Sequence, residues 1–174
     1  MRYLMMSFLA VAVMSAPALA QAPGAFGPRE GDWEMTLSGF GSSDRDLDTG
    51  GFAITGSLGH YVSRELMVGV RQDLNWLGGQ DTADDYQAAT RAVAQYHFDH
   101  GEWRPFIGAN VGYKYGRARD DSGTLGPEAG VKWYLQETTF LYGRAGYDIE
   151  FRNRDDIDGS RGSWAYALGI GFNF

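Results

Sequence analysis

From Gly31 onward, apolar and polar residues alternate with a period of two, the period of a strand whose side chains point to opposite faces. The end of the chain is plainest. Trp164, Tyr166, Leu168, Ile170, Phe172 and Phe174 share one face, while Ser163, Ala165, Ala167, Gly169, Gly171 and Asn173 fill the other. Earlier, Tyr86, Ala88, Ala92, Ala94, Tyr96 and Phe98 oppose Gln87, Arg91, Gln95 and His97. Leu66, Val68, Val70, Leu74 and Trp76 oppose Arg71, Asp73 and Asn75, and Leu141, Ala145, Tyr147, Ile149 and Phe151 oppose Arg144, Asp148 and Glu150. Runs near 31–41, 50–61, 104–116 and 124–135 bring the total to eight. None has the i, i+3, i+4, i+7 spacing of an amphipathic helix.

The connections alternate as well. Val62 to Glu65, Asp99 to Trp103 and Gln136 to Thr138 are tight, whereas Ser42 to Thr49, Gly78 to Asp85, Arg117 to Gly123 and Arg152 to Gly162 are longer and polar. Short turns at one end and long loops at the other are the wiring of a transmembrane up-and-down barrel. The predicted fold is therefore all-β, an eight-stranded antiparallel up-and-down transmembrane β-barrel.

A soluble barrel with an apolar cavity would show the same alternation turned inside out. Three features choose between the two. The polar face is also the small face, with Gly108, Gly112, Gly126, Gly130, Ala165, Ala167, Gly169 and Gly171 on it, as a narrow interior requires. Aromatic residues gather at both ends of the apolar face: Trp33, Tyr96, Phe98, Phe172 and Phe174 at the short-turn end, Phe52, Trp76, Tyr86, Tyr115, Phe151 and Trp164 at the other. Such girdles belong at the two membrane–water interfaces. The last run also ends on an aromatic residue and must pair with the first, because an open edge in lipid leaves backbone groups unsatisfied.

The amino terminus has another character. Arg2, the apolar stretch Tyr3 to Met14 and Ala18-Leu19-Ala20 form a secretory signal pattern, too short to span a bilayer. Residues 1–20 are expected to be removed after Ala20. Residues 21–30, with Pro23, Gly24, Gly27 and Pro28, are expected to be a flexible periplasmic lead-in, and 31–174 the barrel.

Three stretches carry a family resemblance: Trp103-Arg104-Pro105-Phe106-Ile107-Gly108, Ala129-Gly130-Val131-Lys132-Trp133-Tyr134-Leu135 and Leu168-Gly169-Ile170-Gly171-Phe172-Asn173-Phe174. Over residues 31–174 the chain resembles the small outer-membrane β-barrels similar to OmpX and the OmpA membrane domain, in pattern more than in identity. The resemblance implies a Gram-negative-type outer membrane. It also implies that Tyr166, Ile170, Phe172 and Phe174 form the signal read by the barrel-assembly machinery. It names no activity.

Composition narrows the chemistry. The 174 residues carry 44% hydrophobic side chains, too many for a disordered chain. There is no cysteine, which excludes disulfide scaffolds, thiol nucleophiles and thiolate metal sites. A formal charge of −7 argues against nucleic acid as a partner. On the small face, Glu34, Asp73, Glu128, Asp148 and Glu150 balance Arg71, Arg91, Lys114, Lys132 and Arg144. Charges in a narrow interior are costly unless paired, so an internal network that plugs the barrel is expected. An ion-selective pore would sooner carry a ring of one sign.

Other candidates are weaker. His60, His97 and His100 all map to the short-turn end, with Ser63 near His60. A lipid A-modifying enzyme would need its histidine, nucleophile and acid near the outer leaflet. Asp44, Asp46 and Asp48, and Asp156-Ile157-Asp158-Gly159, have a spacing that hard cations favour. Yet Gly50 falls one place late and Thr55 stands where a calcium loop needs Glu, while Arg154 takes the first ligand position of the second fragment. Arg45, Arg117, Arg119, Arg152, Arg154 and Arg161 make these mixed-charge loops suited to lipopolysaccharide phosphates. No catalytic residue, metal or cofactor is expected. The expected role is a monomeric structural, adhesive or stress-related barrel among outer-membrane lipids. A narrow small-solute channel is the first alternative and a lipid-modifying enzyme the second.

Overall fold

The computed structural model describes residues 26–43, 49–79, 82–117, 121–151 and 161–174. Eight strands follow one another: β1 (Trp33–Ser43), β2 (Thr49–Tyr61), β3 (Leu66–Gly79), β4 (Thr82–His97), β5 (Trp103–Gly116), β6 (Ser122–Tyr134), β7 (Thr139–Phe151) and β8 (Arg161–Asn173). Each pairs antiparallel with the next, and β8 returns to β1, so the sheet closes into a barrel. At the closing edge Trp33 and Phe174 exchange both backbone hydrogen bonds, at 2.8 and 2.9 Å. A 13-residue strand such as β7 at a tilt of ~40° rises roughly 33 Å, enough for the apolar band of a membrane.

One difference from the sequence reading lies between β3 and β4. The expected loop Gly78 to Asp85 is largely strand, because the ladder continues through Leu77↔Asp85 and, after a register shift, Gly79↔Thr82. Backbone pairing needs no apolar alternation once the hairpin stands clear of the bilayer, so the pattern fades before the strands do.

The two faces part by chemistry. Val70 is 54% exposed and Leu168 78%, whereas Arg71 is 4% exposed. The outer wall is therefore greasy and the charges lie inside. Both sets of rim aromatics lie on the outer face, and the stacked pair Trp103–Trp133, 5.3 Å apart, adds to the short-turn girdle. Three polar groups also face outward, from Gln72, Thr90 and Tyr115. They satisfy one another: Thr90 donates to Gln72 Oε1 at 2.6 Å, and Gln72 Nε2 donates to the Tyr115 hydroxyl at 3.3 Å. Mutual pairing lowers the cost of placing them against hydrocarbon.

The interior is less uniformly polar than the alternation suggests. Its short-turn half holds Tyr61, Met67 and Val93 in one cluster and Tyr134, Phe140 and Tyr142 in another. Glycines opposite these side chains make room for them. Phe106 lies across from Gly130 and Phe140 across from Gly171, and a Cβ on either glycine would run into the ring. The same holds for Gly112 opposite Arg91. The small residues of the inner face are thus the negative image of the large ones.

Residues 26–30 depart from the flexible lead-in expected for 21–30; residues 21–25, like the signal segment, lie outside the described residues. Phe26 packs on the Tyr134–Phe140–Tyr142 cluster and Pro28 is fully buried. Gly27, at φ +92°, donates its N–H to the Glu137 carbonyl at 3.0 Å. Gly27 and Pro28, read as signs of looseness, instead let the segment turn tightly under the short-turn mouth.

Candidate functional site

The interior charges arise from strand parity. On every strand the residue that points inward is flanked by two that point to lipid, so each charge is held at a height fixed by the ladder. The result is three tiers.

At the short-turn end, Lys132 of β6 reaches both oxygens of Glu34 on β1, each at 2.6 Å, with both side chains 2% exposed. Tyr61 donates its hydroxyl to Glu34 at 2.7 Å, and Tyr134 donates to Asn173 at 2.8 Å. Around the ammonium stand the rings of Phe140, Tyr61 and Phe106, 5.1 to 5.6 Å from Nζ. A cation among three ring faces gains quadrupole attraction as well as its counter-ion.

The middle tier centres on Glu128. Arg71 reaches it with two parallel bonds of 2.7 and 2.9 Å, Gln95 at 2.6 Å and Arg144 at 3.1 Å. Planar bidentate contacts of this kind are the strong class of ion pair. Nearer the long loops, Arg91 joins Asp148 at 2.8 Å and also Asp73, which accepts from Thr55 at 2.7 Å. Lys114 meets Glu150 at 2.6 Å and stands 3.8 Å from Asp148.

All ten charged residues picked out by parity therefore face the interior, and each touches one of opposite sign. Parity reasoning overlooked Arg104. It faces inward at the mouth, donating to Asp99 at 2.8 Å and to the Phe26 carbonyl at 3.2 Å, and so ties the lead-in to the barrel. The inward positions of Phe106 and Gly108 on the same run were the signal that could have found it. Tyr61, Gln95 and Asn173 were missed because uncharged side chains do not stand out in a balance of charges.

The histidines do not form a site together. His60 lies on the outer side against Trp33, ring centres 4.9 Å apart. His97 faces inward between Tyr61 and Phe106, and His100 sits in a turn. Ser63 Oγ lies 3.2 Å from Glu65 Oε2 and accepts the Leu66 N–H at 3.1 Å, which is turn-building work. The aspartates Asp44, Asp46, Asp48, Asp156 and Asp158 lie outside the described residues; among the described ones no group of acidic or histidine side chains could hold a metal. Tyr166, Ile170 and Phe172 face outward along β8, and Phe174 is exposed just beyond its end.

A closed ring of eight antiparallel strands, apolar without and charged within, meets a family model for the outer membrane protein beta-barrel domain, which matches residues 6–174. The chain belongs to that family. No curated protein matches it significantly. Among solved structures, this outer-membrane barrel is similar to OprG from Pseudomonas aeruginosa, with 16% identity, 85% of this chain and 98% of that one covered, and a TM-score of 0.57. It is also similar to Neisserial surface protein A, with 18% identity, coverage of 82% and 96%, and a TM-score of 0.58. Ail from Yersinia pestis in phospholipid nanodiscs gives 17%, coverage of 83% and 100%, and 0.51. At such identities the likeness is one of fold. The barrel family accounts for the girdles, the even strand number and the unequal connections together.

Proposed function

We propose that this outer-membrane barrel is non-catalytic and non-conducting, its interior plugged by its own ion pairs, and that it serves a structural, adhesive or stress-related role through its surface loops. The Lys132–Glu34 pair carries the reading. It is buried on all sides, ringed by Phe106, Phe140 and Tyr61, and set where a conduit would have to pass. A permeant ion would have to displace a bidentate contact in a water-poor cage, and no ring of one sign favours its entry. The turn-bound Ser63 and the scattered histidines give catalysis no support.

In this reading residues 1–20 are an export signal, and the β8 aromatic residues engage the barrel-assembly machinery. Loop arginines such as Arg117 meet lipopolysaccharide phosphates in the outer leaflet, around a monomeric barrel. Planar-bilayer recording tests the plug. Purified barrel is expected to give no steady conductance. Steady conductance of the parent protein, lost on neutralising Arg71 or Arg144, overturns the plug in favour of a narrow channel.

A further inference from the structure

The barrel does not close equally along its height. Seven neighbouring strand pairs are in register over ten to thirteen positions. The β1–β8 pair has five, Glu34 to Ser38 against Asn173 to Gly169. Beyond Ser38, β1 continues to Ser43 along β2, and β8 has already run from Arg161 along β7. Between these outer halves there is no ladder. Unpaired backbone groups facing hydrocarbon cost several kcal/mol each, so this edge needs water or a polar ligand beside it.

An internal chamber meets the gap. A cavity of about 500 Å³ is walled on the inside by Asp73, Arg91, Lys114, Arg144 and Asp148, and it extends to Gly39, Tyr166 and Leu168, which stand on the outer face. It therefore reaches the unpaired edge between β1 and β8. Tyr166 and Leu168 are 76% and 78% exposed, more than any other large apolar residue described; β7 pairs with them on one side and β1 does not on the other. Gly39 leaves the opposite lip without a side chain. Towards the short-turn end the Lys132–Glu34 cage blocks the way, so the chamber opens to the loops and to the side.

The charges beside the gap have a direction. Arg144 of β7 lies opposite Ala167 of β8, one strand from the opening. It shares Glu128 with Arg71, which holds both carboxylate oxygens, so two guanidinium groups divide one acid. Across the chamber Asp73 and Asp148 share Arg91, and Lys114 is taken by Glu150. An anion at the gap can thus accept from Arg144 without disturbing the bidentate Arg71 contact.

We propose that the gap between the outer halves of β1 and β8 is a lateral port that binds a single-chain anionic amphiphile, a long-chain carboxylate. Its head sits on Arg144 in the chamber and its tail lies over Leu168 in the hydrocarbon. The port goes beyond the plug and does not depend on it, since the ligand crosses the wall and never the length of the barrel.

The chain lacks cysteine, so Ser163→Cys on the chamber wall takes one environment-sensitive dye in the whole folded protein in vesicles. Oleate is expected to give a saturable signal, with oleyl alcohol at least tenfold weaker. Gly39→Trp, whose side chain has space at the lip, is expected to abolish it. Arg144→Gln is expected to weaken oleate tenfold; should that variant fail to fold, the alcohol comparison carries the head-group assignment. Heat-modified gel mobility checks each barrel. A signal linear in oleate, an alcohol response equal to that of oleate, or undiminished binding in Gly39→Trp overturns the port, the last by showing entry from the loop end.

Discussion

Lys132→Met is the sharpest probe of the interior. Methionine keeps most of the length and volume of lysine, so the cage of Phe106, Phe140 and Tyr61 stays filled and the change is nearly confined to charge. It strands Glu34, a side chain 2% exposed, with only the Tyr61 hydroxyl at 2.7 Å and the Asn173 amide at 3.5 Å as partners. Breaking a buried pair by removing one member costs about 3–5 kcal/mol. The retained Tyr61 bond offsets part of this, so a loss of about 3 kcal/mol is expected. With a urea slope of about 2 kcal/mol per molar, the unfolding midpoint drops by ~1.5 M. Adding Glu34→Gln removes the stranded charge and is expected to bring stability back to within ~1 kcal/mol of the parent. The assay is reversible urea unfolding in micelles, followed by tryptophan emission and gel mobility. A single-variant loss below ~0.5 kcal/mol, or a double variant as unstable as the sum of its parts, would mean a hydrated pair and would refute the buried cage.

Three further outcomes are expected. Val70→Arg places a cation on the outer face and should cost roughly 2–4 kcal/mol in vesicles, with Val70→Leu near neutral; a silent Val70→Arg would contradict hydrocarbon contact there. Gly27→Ala puts a side chain at φ +92° into the Arg104 guanidinium and should destabilise by about 1–3 kcal/mol, read as a lower melting temperature and faster proteolysis at the lead-in. Phe174→Ser should lower the amount of heat-modifiable barrel in cell membranes while refolding into micelles proceeds, and unchanged amounts in cells would remove Phe174 from any assembly signal.

How much of this was legible from the chain depends on parity. Where a run alternates without interruption, as in Trp164 to Phe174, one strand's face assignment fixes every side chain on it, and the ten interior charges followed from that alone. The interior rings did not. Phe106, Tyr134 and Phe140 are as greasy as the outward Ile107, Trp133 and Leu141 beside them, so residue type could not separate the faces where both are apolar. The packed lead-in was hidden because Gly27 and Pro28 read the same in a loose tail and in a tight turn; the contacts of Phe26 with the Tyr134 cluster and of Gly27 with Glu137 distinguish them. The short β1–β8 register was hidden too, since alternation says which way a residue points and not whether a neighbour is there.

The ladder also explains why the charges act together. Arg71 and Arg91 are directly opposite on β3 and β4, a like-charged cross-strand pair that would be unfavourable by itself. Each guanidinium instead reaches across the lumen, Arg71 to Glu128 on β6 and Arg91 to Asp148 on β7. These bonds are struts between distant parts of the wall, each joining residues 57 apart in sequence. Removing Glu128 therefore leaves both Arg71 and Arg144 without a carboxylate, a cost larger than one lost bond. Deleting Glu128 together with Arg71 and Arg144 removes the stranded charges. The effects of interior substitutions should accordingly depend on which partner is left behind, more than on how many charges are gone.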